Sequence, residues 1–168
     1  MTERPVSYAR LVADAPGSGP DDGERWAQAA STARDSVAEL GRLHRLLDGH
    51  WRAGRDREQV GELLRRLTRR LDEAQDAYAA IAATLADRGH ELAHARELVL
   101  QVTHEARLVG LVVTPEGEVV SPSGSAPMAV RAVAHRLTAR VAEALARAAA
   151  AQRRAAAEVA ALPPPNLW

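Results

Sequence analysis

From Val60 to Val109 the chain reads VGELLRRLTRRLDEAQDAYAAIAATLADRGHELAHARELVLQVTHEARLV, and a seven-residue rhythm runs through all of it. With Leu64 at position a, the a series is Leu64, Leu71, Tyr78, Leu85, Leu92, Val99 and Ala106. The d series is Val60, Leu67, Ala74, Ile81, Arg88, Ala95, Val102 and Val109, and only Arg88 breaks it. Such a stripe lies on one side of a helix and has to be covered by other helices. The spacing predicts a helix over residues 57–109, about 80 Å long at 1.5 Å per residue. A charge at d needs a carboxylate partner or an escape to water. Arg88 therefore marks a change of packing partner or a specificity element in the seam.

Outward from this stretch, punctuation sets the other elements. Residues 1–20 hold a short apolar segment, Val6 to Val12, and the breaker Pro16-Gly17-Ser18-Gly19-Pro20. They are expected to form an N-terminal arm, with a short helix or loose attachment. Asp21 and Glu24 have the spacing of a capping box. A first long helix follows over 22–49, with the stripe Trp26, Ala30, Ala33, Val37, Leu40, Leu43 or His44, and Leu47. A short turn makes this helix and the next antiparallel neighbours. Downstream, Leu111-Val112-Val113, Pro115-Glu116-Gly117 and Val119-Val120 read as a β-hairpin over 111–121, with Gly117 supplying a positive φ. Ser125 is the expected cap of a third helix over 126–161, with Pro127 in its first turn. That helix carries Val130, Val133, Leu137, Val141, Ala144, Leu145 and Ala148, and a tail occupies 163–168.

The fold class is thus all-α: an elongated antiparallel helical hairpin or three-helix bundle, with a long second helix and a small β-hairpin before the third. One helical domain spans 21–162. With 168 residues there is no room for a second domain of ordinary size.

Composition narrows the function. Formal net charge is zero, which argues against a nucleic-acid or anionic-membrane binder that works by bulk charge. No apolar run reaches the length of a membrane span. Met1-Thr2-Glu3-Arg4-Pro5 lacks the layout of a cleaved signal peptide, so the expected location is cytoplasmic, or secreted without one. There is no Cys, hence no disulfide and no thiolate metal site. Lys and Phe are also missing and Ala is abundant, as in proteins from GC-rich genomes of the actinobacterial kind. The core then has to be Leu, Val and Ala, each of small area, and stability has to come from long interfaces.

One motif points toward catalysis. His90-Glu91-Leu92-Ala93-His94 matches His-Glu-x-x-His, in which two His one turn apart bind zinc and the Glu activates the metal-bound water. A zinc-dependent peptidase is therefore one alternative reading. The register opposes it. Leu92 at a and Ala95 at d turn His90 and His94 outward, and Arg88 and Arg96 flank the motif with cations. His104 lies about 15 Å along the axis from His94, too far to ligate the same ion. The preferred reading has no metal, no cofactor and no catalytic residue. His44 reads as a boundary histidine, and the pairs Arg65-Arg66, Arg69-Arg70 and Arg153-Arg154 read as solvated faces.

Two helices joined by Asp48-Gly49-His50-Trp51-Arg52-Ala53-Gly54 resemble the Trp-x-Gly (WXG, Esx-like) family of type VII secretion substrates. The segment from Ala95 to Pro122 is similar to the helix-to-hairpin part of longer helical proteins tied to those systems. Together the likenesses cover about residues 22–122. They imply a helical hairpin that pairs with a related chain, with Trp51 and Gly54 as the turn motif. Two departures stand out. Arg52 and Ala53 separate Trp from Gly where the family has one residue, and neither Tyr78 nor Tyr8 is followed four positions later by an acid. The resemblance then implies an export signal on a partner, or a chain that stays inside as partner or chaperone. The expected function is non-enzymatic pairing with another helical protein or with itself, along a seam of Leu64, Leu71, Tyr78, Leu85, Arg88 and Leu92. A homodimeric coiled-coil scaffold unrelated to secretion is a further alternative. The role of the tail residues Leu167 and Trp168 is open.

Overall fold

The computed structural model describes residues 6–13, 20–51 and 54–162. Among them are four helices, α1 (Tyr8–Ala13), α2 (Pro20–His50), α3 (Arg55–Leu108) and α4 (Met128–Ala161), and two strands, β1 (Val112–Val113) and β2 (Val119–Val120). The all-α class holds. The helix ends fall within two residues of the expected ones, because Gly and Pro sit where the periodicity stops. The side chain of Asp21 and the tail residues 163–168 lie outside the described residues, and α2 opens on Pro20, whose missing N–H costs nothing at a helix start.

Contacts divide the chain into two compact units. One holds residues 1–20 and 86–157, the other 21–85 and 158–168. The division inside α3 falls between Leu85 and Ala86, three residues before Arg88.

In the first unit, the core gathers Leu11, Ala95, Val99, Val102, Ala106, Leu111, Val119, Leu137, Val141, Ala144 and Ala148. α1 belongs to it, which decides against a loose arm for residues 8–13. Leu11 is buried, the Tyr8 hydroxyl meets Thr103 Oγ1 at 3.1 Å, and Arg96 Nη2 donates to the Val12 carbonyl at 3.4 Å. α3 ends in a tight cap. The Leu111 N–H donates to the Ala106 carbonyl at 2.9 Å and the Gly110 N–H to that of Arg107 at 3.1 Å, with Gly110 at φ 71°. This is the paired arrangement that satisfies the last free carbonyls of a helix, and it delivers Leu111 back into the core. Val109, expected at d, is the residue that leaves the helix, and it is exposed.

The strands pair antiparallel, Val112 with Val120 and Val113 with Val119. Two strands of two residues are not stable alone. Here the Val119 N–H donates to Thr138 Oγ1 of α4 at 2.9 Å, and Gly117, at φ 91°, lies against Val141. α4 then starts two residues later than expected. Its first turn closes from the Arg131 N–H to the Pro127 carbonyl at 3.0 Å, so Pro127 rather than Ser125 stands at the cap.

In the second unit, contacts between α2 and α3 run in opposite senses along the two helices. Asp48 Oδ1 accepts from Arg57 Nη2 at 2.6 Å, the His44 ring lies 4.0 Å from where a Cβ on Gly61 would stand, and Trp26 stacks on Tyr78 with centroids 5.3 Å apart. Thr84 Oγ1 donates to Glu158 Oε2 of α4 at 3.3 Å.

Candidate interaction surface

The link between α2 and α3 is built from both helix ends. The Trp51 N–H donates to the Leu47 carbonyl at 3.0 Å and closes the last turn of α2. His50 Nδ1 lies 3.1 Å from the Leu46 carbonyl. The Gly54 carbonyl accepts from the Glu58 N–H at 3.2 Å, which makes Gly54 the cap of α3. Asp56 and Glu58 place their charge in the first turn of α3, where free N–H groups favour anions. A Cβ on Gly54 would meet nothing within 4 Å, and its φ is not positive. Trp51 is 46 % exposed, so the residue is only partly covered.

Along the seam, Leu64, Leu71, Tyr78, Leu85 and Leu92 are half-buried, and Ala74, Ile81 and Ala95 on the same stripe are buried. Arg88 is half-buried too. Its Nε is buried and finds no hydrogen-bond partner. One seam position departs from the expectation. Leu67, at d, is 39 % exposed, while Thr68 beside it is half-buried. Near the start of α3 the covered side has turned toward e, where His44 of α2 lies against Gly61, itself an e position.

The sequence reading missed Leu63 and Leu46 and left Leu43 and His44 undecided. Leu43, Leu46 and Leu63 are all exposed, and His44 is the half-buried one of its pair. Each of the four leucines, Leu67 included, stands one residue before a half-buried position: His44, Leu47, Leu64 and Thr68. One residue after those positions stand Arg45, Asp48, Arg65 and Arg69, all exposed. Both helices are therefore apolar on one flank of their contact stripe and charged on the other. The signal in the sequence was the doublets Leu46-Leu47 and Leu63-Leu64, too wide for one seam.

On the charged flank, Arg65 Nη2 donates to Glu62 Oε2 at 2.9 Å. That hydrogen bond, then the Arg65 charge, with smaller help from Arg66 and Arg69, holds the Glu62 carboxyl below its ordinary range. His44 Nε2 lies 3.7 Å from Asp48 Oδ2.

His90, Glu91 and His94 are all exposed on α3. Among the described residues no group of three or more His, Cys, Asp or Glu side chains is placed to hold a metal. His94 borders a shallow groove with Leu98, Val102 and Ala144, and with two cations, Arg140 and Arg147. Arg140 pairs with Glu105, and Arg147 Nη2 with Glu143 Oε1 at 2.8 Å. The pairs Arg65-Arg66, Arg69-Arg70 and Arg153-Arg154 are exposed. No described helix is long and apolar enough to cross a membrane. Comparison with family models, with curated proteins and with solved structures finds no match to the chain.

Proposed function

We propose that this chain is a non-enzymatic helical interaction protein, of the type VII secretion (Trp-x-Gly) kind, whose work is to pair with another helical chain or with itself. The observation that carries the reading is the exposed leucine flank of α2 and α3. Isolated surface leucines are ordinary, but four on one flank beside a charged one are a place for a partner. The opposed contacts Asp48–Arg57, His44–Gly61 and Trp26–Tyr78 support an antiparallel hairpin beneath that flank. Trp51 and Gly54 stand outside the helices at the link, in keeping with a Trp-and-Gly turn between paired helices. Apolar burial drives association of such surfaces.

The test is size-exclusion chromatography with light scattering, on the chain alone and after co-expression with the products of its neighbouring genes. A dimer, or a stable complex with a small helical partner, is the expected result. A compact monomer indifferent to every neighbour overturns the reading.

A further inference from the structure

We propose that the leucine flank is a self-complementary face on which a second copy of this chain docks about a twofold axis at Leu63. This rests on the pairing reading above and names its partner.

The geometry begins with helix handedness. The residue before a stripe position lies about 100° around the helix from it. When two helices run oppositely with their stripes facing, those two flanks fall on the same side. Leu43 and Leu46 of α2 and Leu63 and Leu67 of α3 thus form one patch. It exposes roughly 330 Å², at the lower end of the range of the largest apolar patches on monomers, which are often functional. A stable interface buries about 800 Å² per partner, so this patch needs a polar rim somewhat larger than itself.

Charge selects the occupant. Asp56, Leu63 and Arg70 stand seven residues apart and form one column on the exposed flank of α3. Asp56 and Arg70 lie about 10.5 Å to either side of Leu63 along the axis. Both are exposed, and neither makes an ion pair among the described residues. A second α3 crossing antiparallel at Leu63 brings its Arg70 over Asp56 and its Asp56 over Arg70. One twofold axis therefore satisfies both charges twice, the self-match an isologous contact requires. A partner of uniform charge leaves one end of the column facing its like.

The experiment is sedimentation or light scattering across a concentration series, with circular dichroism confirming helix content for each variant. The wild type is expected to dimerise. Leu63→Glu is expected to raise the dissociation constant about a hundredfold, because it places two charges at the axis. Asp56→Arg or Arg70→Asp alone is expected to raise it roughly tenfold, each acting twice by symmetry. The double variant Asp56→Arg/Arg70→Asp is expected to recover most of the wild-type affinity. A wild type that stays monomeric overturns the proposal, as does a dimer indifferent to Leu63. Singles that weaken without recovery in the double also overturn it. In each of these cases a stable complex with a neighbouring gene product leaves the pairing reading standing, and only its loss as well removes both.

Discussion

Between Ala95 and Ala106 every a and d position of α3 is buried; between Val60 and Leu71 none is. The repeat is the same in both stretches. What differs is the surroundings. The later stretch meets α1, the strand pair and α4, and its core side chains join those of Leu11, Leu111, Val119, Leu137 and Val141 in one cluster. In and around the earlier stretch the contacts of Arg57, Gly61 and Tyr78 run to α2. A seven-residue rhythm fixes which side of a helix is apolar. It does not fix what covers that side, and among the described residues the flank of Leu63 and Leu67 stays exposed beside α2.

The contrast breaks or holds most sharply at two leucines. Leu111 is 2 % exposed and Leu63 is 48 % exposed. Truncation of Leu111 to Ala leaves a cavity in a packed cluster and is expected to cost about 2–5 kcal/mol. Truncation of Leu63 to Ala, measured at dilution where copies stay apart, is expected to change stability by less than about 0.5 kcal/mol. Urea denaturation of both variants decides it. Equal losses mean that the early part of α3 is as fully enclosed as the late part.

A second test stays inside the dense unit. Gly117 has φ 91°, and a Cβ there would stand 3.0 Å from Val141 Cγ1, 3.5 Å from Leu145 Cδ1 and 3.6 Å from Tyr8 Cβ. Gly117→Ala combines a strained backbone with overpacking and is expected to cost about 1–3 kcal/mol. Gly54→Ala, at an open position with ordinary φ, removes only a mild capping preference, and its loss is expected to stay below that of Gly117→Ala. Thermal melts of the two variants compare a glycine held by tertiary contacts with one chosen for a helix end.

Much of this was legible in the sequence, for local reasons. The helix limits follow Gly and Pro punctuation, and the strand pair follows two Val-Val doublets around Pro115-Glu116-Gly117. Arg88, the one charge at d, lies three residues past the point where α3 passes from one contact unit to the other. Other features depend on neighbours that no local pattern specifies. The packing of α1 through Leu11 and Tyr8 is set by Thr103 and Arg96, some 90 residues away along the chain. The shift from Leu67 to Thr68 reflects which side α2 covers. The cap falls at Pro127, while the Ser125 carbonyl accepts from Ser123 Oγ within the preceding loop.

The smallest effect belongs to the charged flank, and its sign can be worked out. Glu62 is held below the ordinary carboxylate range by its hydrogen bond and charge contact with Arg65. A carboxyl with a depressed folded value adds stability that is present above its unfolded value and is lost as pH falls through the folded one. At neutral pH the pair is intact, and in acid it disappears. Because Glu62 is fully open to water, screening makes that contribution slight, and the pair is better read by titration than by stability. Carbon-detected NMR is expected to show Glu62 titrating below the ordinary glutamate range, and Arg65→Gln is expected to raise its midpoint. The melting temperature of that variant is expected to match the wild type. An unmoved Glu62 midpoint would show that Arg66 and Arg69 hold the charge, whereas a large drop in melting temperature would mean that the flank facing away from the leucines is itself part of the fold's support.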